Sequence, residues 1–261
     1  MSDPFPAVAE AEATGETAAL FADIRATVGV RVVNLVWRHL ATLDGALPWA
    51  WGAVKPLYLL GVADTAAVRF REEMILPKLS TLAGGEPASV DAVLASYDHS
   101  NTINLFALGA LVAWLRGQTA AQGTPVQGPR LPAPDVILPK LASQADVSPD
   151  TWQRVLRLNH FGDRPQPLIL ASMYRHLAHA PAFLQRLETV LAPLQADGSL
   201  DRAISANRAA AVDRARVLAR AISAERPALT DKIEIGVSAF VDHAIGKMVT
   251  ICRAIRVART S

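Results

Sequence analysis

The sequence predicts an all-α protein made of two tandem helical repeats that form a pseudo-dimer. Sustained alternation of apolar and polar residues, the pattern of a half-buried strand, is almost absent. Segments 37–57 and 174–194 align without a gap at an offset of 137 residues and share seven identical positions, where average composition predicts roughly one or two. We therefore expect a pocket where the repeats meet. The identical pairs are Arg38/Arg175, His39/His176, Leu40/Leu177, Ala41/Ala178, Leu47/Leu184, Pro56/Pro193 and Leu57/Leu194.

Composition divides the chain into four parts. We predict an N-terminal arm at 1–16, a first repeat at 17–116, a linker at 117–139 and a second repeat at 140–261. The linker contains three glycines and five prolines, which no core helix accommodates. The arm lacks helical periodicity, so it is expected to be loose.

In the first repeat, apolar spacing predicts a helix at Thr17–Val28 that Gly29 closes, and a second helix at about Val32–Leu43. A third helix carries Pro48 in its first turn, where the missing N–H costs nothing. Pro56 is expected to end or kink this helix, because proline removes a backbone donor and its ring clashes with the preceding turn.

The first repeat continues with two capped helices. Asp64 is a predicted N-cap for a helix at Thr65–Leu76, and Ser89 is a predicted N-cap for a long helix that ends near Arg116.

The second repeat opens on Ser148-Pro149-Asp150, which combines an N-cap, a first-turn proline and an acidic residue near the helix start. Pro181 opens the next helix. A long helix rich in arginine and alanine is predicted at Ser199–Ala224, and a final helix at Thr230–Arg256.

Composition and charge narrow the class of protein. The net charge of +2 favours neither nucleic acid nor an acidic partner. Cys252 is the only cysteine, which excludes an internal disulfide and fits a reducing cytoplasm. The N-terminus has no basic segment of a signal peptide, and the longest apolar run, Leu105–Leu115, is too short to span a bilayer. We therefore expect a cytoplasmic protein with no membrane partner and possible homo-oligomers.

Metal and cofactor motifs are missing from the sequence. The six histidines lack the spacing of known metal sites, and neither a phosphate-binding loop nor a dinucleotide fingerprint occurs. We therefore expect no metal and no cofactor.

Two Asp-His pairs follow an aromatic or apolar residue, at Tyr97-Asp98-His99 and Val241-Asp242-His243. Two interpretations are open. The pairs converge across the pseudo-two-fold axis that relates the repeats, or they are polar groups where two helices pack together. Arg38 and Arg175 also allow two interpretations. Each could hold a substrate carboxylate in a bidentate fork, or each anchors neighbouring helices by hydrogen bonds.

Several segments resemble the start of the group I 2-haloacid dehalogenases (the DehI family), whose helical fold is shared with alkylhydroperoxidase-D-like proteins. The resemblance covers about half of the chain. It is carried by Asp23-Ile24-Arg25, Thr27, Val30, Val33, Arg38, Leu40-Ala41-Thr42, Gly45, Leu47-Pro48, Ala50-Trp51, Val93-Leu94, Asn101 and Leu138-Pro139.

This resemblance implies cofactor-free hydrolysis of 2-haloalkanoic acids, in which an activated water displaces halide at C2 without a covalent ester. Asn101 matches the asparagine of that family, which orients the water. The position expected for the aspartate that takes the proton holds Ala142, so Asp146 or Asp98 is the expected substitute. The pocket aromatics of the family fall on Val32 and Leu35. The remaining expected pocket residues are Tyr97, Leu141 and Ala142.

Three hypotheses follow for the function. In the first two, the partner is a small carboxylic acid or another small ligand. The first is a dehalogenase-like hydrolase with Asn101 and Asp146 or Asp98. The second is a homologue that binds a small ligand between the repeats without this chemistry. The third is a structural or partner-binding helical protein, whose seam is filled by side chains.

Overall fold

The computed structural model describes residues 6–82, 84–85, 87–162 and 169–260, and within these ranges the chain is helical without strands. The predicted all-α class is confirmed. Five α-helices precede the proline-rich segment: α1 (Gly15–Val28), α2 (Leu35–Leu40), α3 (Ala46–Leu59), α4 (Val62–Glu73) and α5 (Ala88–Leu115). Six follow it: α6 (Pro149–Asn159), α7 (Ser172–Leu177), α8 (Pro181–Ala196), α9 (Ser199–Leu218), α10 (Thr230–Ala239) and α11 (Gly246–Thr260).

Short 3-10 turns lie at Glu10–Glu12, Gln144–Asp146 and Ala219–Ala221, and a π-helix at Phe240–Ile245 joins α10 to α11. The final predicted helix is therefore three helical segments in one continuous run. Thr230–Thr260 is long and apolar enough to cross a membrane by length and composition, but 72% of its most apolar window is buried inside the protein, as in a core helix.

Several predicted helix ends are confirmed. Gly29 adopts the left-handed conformation (φ 75°) and its N–H donates to the Arg25 carbonyl oxygen, which closes α1. The Ser148 side chain accepts a hydrogen bond from the backbone N–H of Thr151 and caps α6, with Pro149 in the first turn. Pro181 lies in the first turn of α8, which has no side-chain cap.

Several expected boundaries are wrong. Ser89 lies inside α5, whose N-cap is Pro87, and α9 ends at Leu218 instead of Ala224. Pro56 does not end α3, which continues to Leu59 because Leu57 and Tyr58 are fully packed in the core and hold the last turn; the alternative expectation of a kink at Pro56 stays a prediction. Asp64 lies inside α4, where its Oδ1 accepts a hydrogen bond from the backbone N–H of Leu131, and Gly61 is the N-cap. Helix α2 starts at Leu35 instead of Val32, because the backbone N–H of Val33 donates to the Glu10 carboxylate.

The hydrophobic core forms two clusters, and neither is drawn from one predicted repeat. Helix α5 places its C-terminal half in the first cluster and its N-terminal half in the second. Helix α9 and the run from α10 to α11 also contribute to both clusters. Each half of the chain therefore completes its core only with helices from the other half.

The proline-rich segment 117–139 packs against both halves of the chain. The backbone N–H of Ala120 donates to Arg216 O in α9, and the middle of the segment contacts the first half. The backbone N–H of Gly128 donates to Leu60 O, and the Arg130 side chain donates to Thr27 O. The arm is also anchored within the described residues, since the N–H of Val8 donates to Arg38 O. Residues 1–5 of the predicted loose arm lie outside the described residues.

Corresponding contacts support the predicted repeat, which stays a prediction. The Nε–H of Arg38 donates to Val8 O, and His39 hydrogen-bonds to Pro6 O. In the second half, Nε–H of Arg175 donates to Ala142 O and His176 hydrogen-bonds to Pro139 O. In both halves the same Arg-His pair ties its helix to a segment about 30 residues upstream.

Candidate functional site

A cavity of about 60 Å³ lies between α2, α5, the start of α7 and the π-helix. A water needs roughly 10–15 Å³ of such space, so this cavity holds about four to six water-sized groups. Its lining is Val32, Val33, Asn34, Leu35, Val36, Arg38, Ser96, Tyr97, Ser100, Asn101, Leu138, Leu141, Ile169, Leu170, Ala171, Ser172, Met173, Phe240, Ala244, Ile245 and Met248. Both halves of the chain contribute, as expected for a pocket where the halves meet.

Most of the wall is apolar. Leu35 belongs to α2, Met173 to α7 and Phe240 to the π-helix, so three separate elements present hydrocarbon surface to the same space. π-helical turns inside helices are rare and occur often at functional sites. An apolar wall with a few polar groups is the usual make-up of a small-molecule pocket.

One side of the cavity is held by a buried chain of hydrogen bonds. The Tyr58 hydroxyl donates to Asn104 Oδ1 at 2.6 Å, and Asn104 Nδ2 donates to Asn34 Oδ1 at 3.0 Å. Asn34 Nδ2 in turn lies 3.5 Å from Ser100 Oγ. The chain runs from the core to two residues of the lining, Asn34 and Ser100, and it fixes the orientation of the Asn34 amide.

Arg38 supplies a positive charge to the lining. Its Nε–H donates to Val8 O at 2.9 Å, which fixes the plane of the guanidinium group. Beside it, burial raises the pKa of the Tyr97 phenol, while a hydrogen bond with Ser172 and the charges of Arg175 and Arg38 oppose the rise. Tyr97 is therefore a neutral hydrogen-bonding group at ordinary pH.

The structure brings most of the predicted pocket residues together. Val32, Leu35, Tyr97, Asn101 and Leu141 all line the cavity. Asn101 is 6% exposed and lies one turn along α5 from Tyr97. The first half thus provides Asn101 and the second half provides Leu141.

Two predicted site residues lie outside the cavity lining. Ala142 is fully buried in the second core cluster, and its carbonyl oxygen accepts a hydrogen bond from Arg175. Asp146 forms a capping box with Ser143 and an ion pair with Lys140. The hydrogen bonds from Ser143 hold the pKa of the Asp146 carboxyl well below its usual range, so it is a poor proton acceptor. Local capping, rather than the cavity, therefore uses the Asp146 carboxylate, and its predicted catalytic role stays a prediction.

The Asp-His pairs also lie outside the lining. Asp98 accepts a hydrogen bond from Arg256 at 2.5 Å, and Asp242 lies 3.3 Å from Arg116 Nη2. The ring of His99 bonds to Val28 O, and burial lowers the pKa of that histidine. Asp98, predicted as an alternative base, is thus committed to arginines rather than to the cavity.

The cavity lining formed by the described residues therefore contains no carboxylate and no histidine. Its polar members are amides, hydroxyls and one guanidinium group. Within the same described ranges, no three His, Cys, Asp or Glu side chains lie close enough to hold a metal ion.

The sequence reasoning missed Asn34, Ser100 and Ser172 as pocket residues, and it missed the π-helix. One signal was present. The middle of α5 carries a run of polar residues within an otherwise apolar helix, and Ser96, Asp98, Ser100, Asn101 and Asn104 are all buried there. A polar run in a core helix indicates a site or a hydrogen-bond network. The π-helix has no comparable sequence signal.

Comparison with known proteins identifies the fold. A D-2-haloacid dehalogenase mutant in complex with D-2-CPA is 18% identical and superposes with a TM-score of 0.73 over 98% of this chain and 97% of that chain. The D-2-haloacid dehalogenase in complex with L-LA gives 0.74 at the same identity and coverage. No protein-family profile and no curated protein matches the sequence. The chain thus shares the fold of D-2-haloacid dehalogenase, and membership of group I stays a prediction.

Proposed function

We propose that this protein binds a small 2-substituted carboxylic acid in the cavity between its two halves. The observation that carries the proposal is Arg38, the guanidinium group in the wall of a mostly apolar cavity. Its Nε–H donates to Val8 O, which orients the guanidinium group, and its two terminal nitrogens are the groups that would bind the carboxylate of the ligand.

The shape and polarity of the remaining wall fit the rest of such a ligand. Val32, Leu35 and Leu141 provide a surface for a short alkyl chain or a halogen. Asn101 and Ser100 provide hydrogen bonds to a polar substituent. The volume limits the ligand to a few non-hydrogen atoms, which is the size of a two- to four-carbon acid.

The chemistry of the wall favours binding without hydrolysis. Activation of water for displacement of halide needs a group that accepts a proton. The lining within the described ranges contains no carboxylate or histidine, and Tyr97 is a neutral phenol. We therefore infer that the acid is bound intact.

Displacement of halide from a 2-haloalkanoic acid is the second candidate. It is favoured by the fold shared over nearly the whole chain with D-2-haloacid dehalogenase and by Asn101 in the cavity wall. In this candidate Asn101 would orient the water, and the base would be a group outside the described lining.

The test is calorimetric titration with D- and L-2-chloropropionate and lactate, together with a chloride-release assay. We expect binding by the wild type, a loss of about tenfold or more in affinity for Arg38→Gln, and no chloride release. The matched control is Arg175→Gln, because Arg175 has the same Nε hydrogen bond to an upstream carbonyl but lies outside the lining.

The other outcomes separate the candidates. Chloride release that disappears in Asn101→Ala would replace intact binding with the hydrolase. Absence of binding in well-folded wild-type protein, or an equal loss of affinity in Arg38→Gln and Arg175→Gln, would contradict the carboxylate role of Arg38.

A further inference from the structure

Three arginines from two helices converge on one buried carboxylate. Arg71 lies near the end of α4, Arg253 and Arg256 lie one turn apart on α11, and Asp98 lies on α5. Arg256 donates a hydrogen bond to Oδ2 of Asp98 at 2.5 Å, and nitrogens of Arg253 and Arg71 lie 3.6 and 3.7 Å from the same oxygen. This arginine cluster carries three positive charges against one negative charge. None of its four residues lines the cavity.

Polar atoms of the arginine cluster are left without hydrogen-bond partners among the described residues. They are Nε of Arg71, Nε of Arg253 and Oδ1 of Asp98, and all three are buried. The Asp98 side chain is 3% exposed. Buried donors and acceptors are nearly always paired in folded proteins. Two donors and one acceptor at one place therefore point to a ligand that both accepts and donates hydrogen bonds.

The two outer arginines of the cluster are partly exposed, and the cluster has excess positive charge. The Arg253 and Arg256 side chains are 32% and 38% exposed, whereas Arg71 is 15% exposed and lies deeper. Burial lowers the pKa of the Arg71 guanidinium, Asp98 opposes this effect, and the charges of Arg253 and Arg256 lower the pKa further. An anion that enters past the two outer arginines would relieve this repulsion.

We propose that the arginine cluster is a binding site for hydrogen phosphate. Guanidinium groups bind phosphate oxygens with matched geometry. The acceptor Oδ1 of Asp98 repels a fully deprotonated oxyanion but accepts a hydrogen bond from a protonated one. Hydrogen phosphate keeps an O–H group above neutral pH, whereas sulfate and a doubly ionised phosphomonoester have none. The cluster therefore selects inorganic phosphate over both.

The test is calorimetric titration at pH 8 and constant ionic strength with inorganic phosphate, sulfate and methyl phosphate. We expect one phosphate per chain, and affinities for sulfate and methyl phosphate that are lower by about tenfold or more, the effect of one hydrogen bond to a charged group. Arg256→Gln should weaken phosphate binding by about tenfold. Asp98→Asn should lower the preference for phosphate over sulfate, because an amide can donate to sulfate.

The matched control is Arg69→Gln, since Arg69 is an exposed arginine on α4 two residues before Arg71. It removes one positive charge and should leave phosphate binding unchanged. Circular dichroism and thermal unfolding of each variant check the fold, and the wild-type preference still tests the proposal if Asp98→Asn does not fold. Equal affinity for phosphate and sulfate, no binding of either anion, or an equal loss in Arg69→Gln would overturn it. Loss of phosphate binding in Arg38→Gln would also overturn it, by moving the anion to the cavity.

Discussion

Replacement of Tyr58 by phenylalanine tests the buried hydrogen-bond chain that ends at the cavity. Tyr58 is fully buried, and its hydroxyl donates to Asn104 Oδ1 at 2.6 Å. Tyr58→Phe keeps the ring and removes only the donor. Asn104 Oδ1 then stays buried without a partner, because Asn104 is also fully buried. The amide is held in this orientation, because its Nδ2 already donates to Asn34 Oδ1.

The expected cost follows from that unpaired acceptor. Leaving a buried polar group without its hydrogen bond costs about 1–3 kcal/mol. For a protein of this size, each kcal/mol corresponds to a shift of roughly 2–4 °C in the unfolding midpoint. Tyr58→Phe should therefore lower the midpoint by several degrees. It should also weaken ligand binding, because the amide of Asn34 loses its support.

Tyr174→Phe is the matched control, with the opposite expected sign. Tyr174 is also fully buried, but its hydroxyl has no hydrogen-bond partner among the described residues. Removing a buried, unpaired hydroxyl relieves a desolvation cost, so this variant should be as stable as the wild type or more stable. The free energies of unfolding of the two variants should differ by about 2 kcal/mol or more.

Chemical denaturation followed by circular dichroism measures both free energies of unfolding, provided that the transition is two-state. The reasoning is refuted if Tyr58→Phe is as stable as the wild type, or if the two substitutions cost the same. Either result would mean that the Tyr58 hydroxyl does not stabilise the buried chain.

Three further predictions use the same stability assay or the ligand titration. Gly61→Ala should lower the free energy of unfolding by about 3 kcal/mol or more, because φ is +63° and a Cβ would overlap the carbonyl oxygen of Gly128. The control Gly45→Ala, with φ +68° and open space around the Cβ, should lower it by only about 1 kcal/mol. Equal losses in the two variants would contradict the overlap. Burial lowers the pKa of His176 from 6.5 to about 4. The folded state holds the neutral imidazole of His176, whereas the unfolded chain takes up a proton below pH 6.5. Up to about 3 kcal/mol of stability should therefore be lost as the pH falls from 6.5 to 4. An unchanged pH profile of stability in His176→Asn would refute this. Asp146→Ala should leave ligand binding unchanged, and a loss would restore Asp146 to the site.

The site could be predicted only in part, and the reason is physical. Asn101, Val32 and Leu35 were identified through a family resemblance, and the structure places all three in one cavity wall. The positions of the two candidate carboxylates were harder to predict. Asp98 and Asp146 are each engaged by neighbours outside the cavity, and two of the three arginines that engage Asp98 are more than 150 residues away on α11. Sequence patterns do not reveal such distant partners.

The sequence by itself determined the helical class and many helix ends. These depend on local chemistry, such as the left-handed glycine after α1 and the serine cap with its proline at α6. Only the tertiary structure decided that α3 continues through Pro56 and that a π-helix borders the cavity, because burial of neighbouring side chains outweighs local preference there. It also decided that both cores are shared between the halves of the chain. A site built where the halves meet follows from those long-range contacts, which no local pattern encodes.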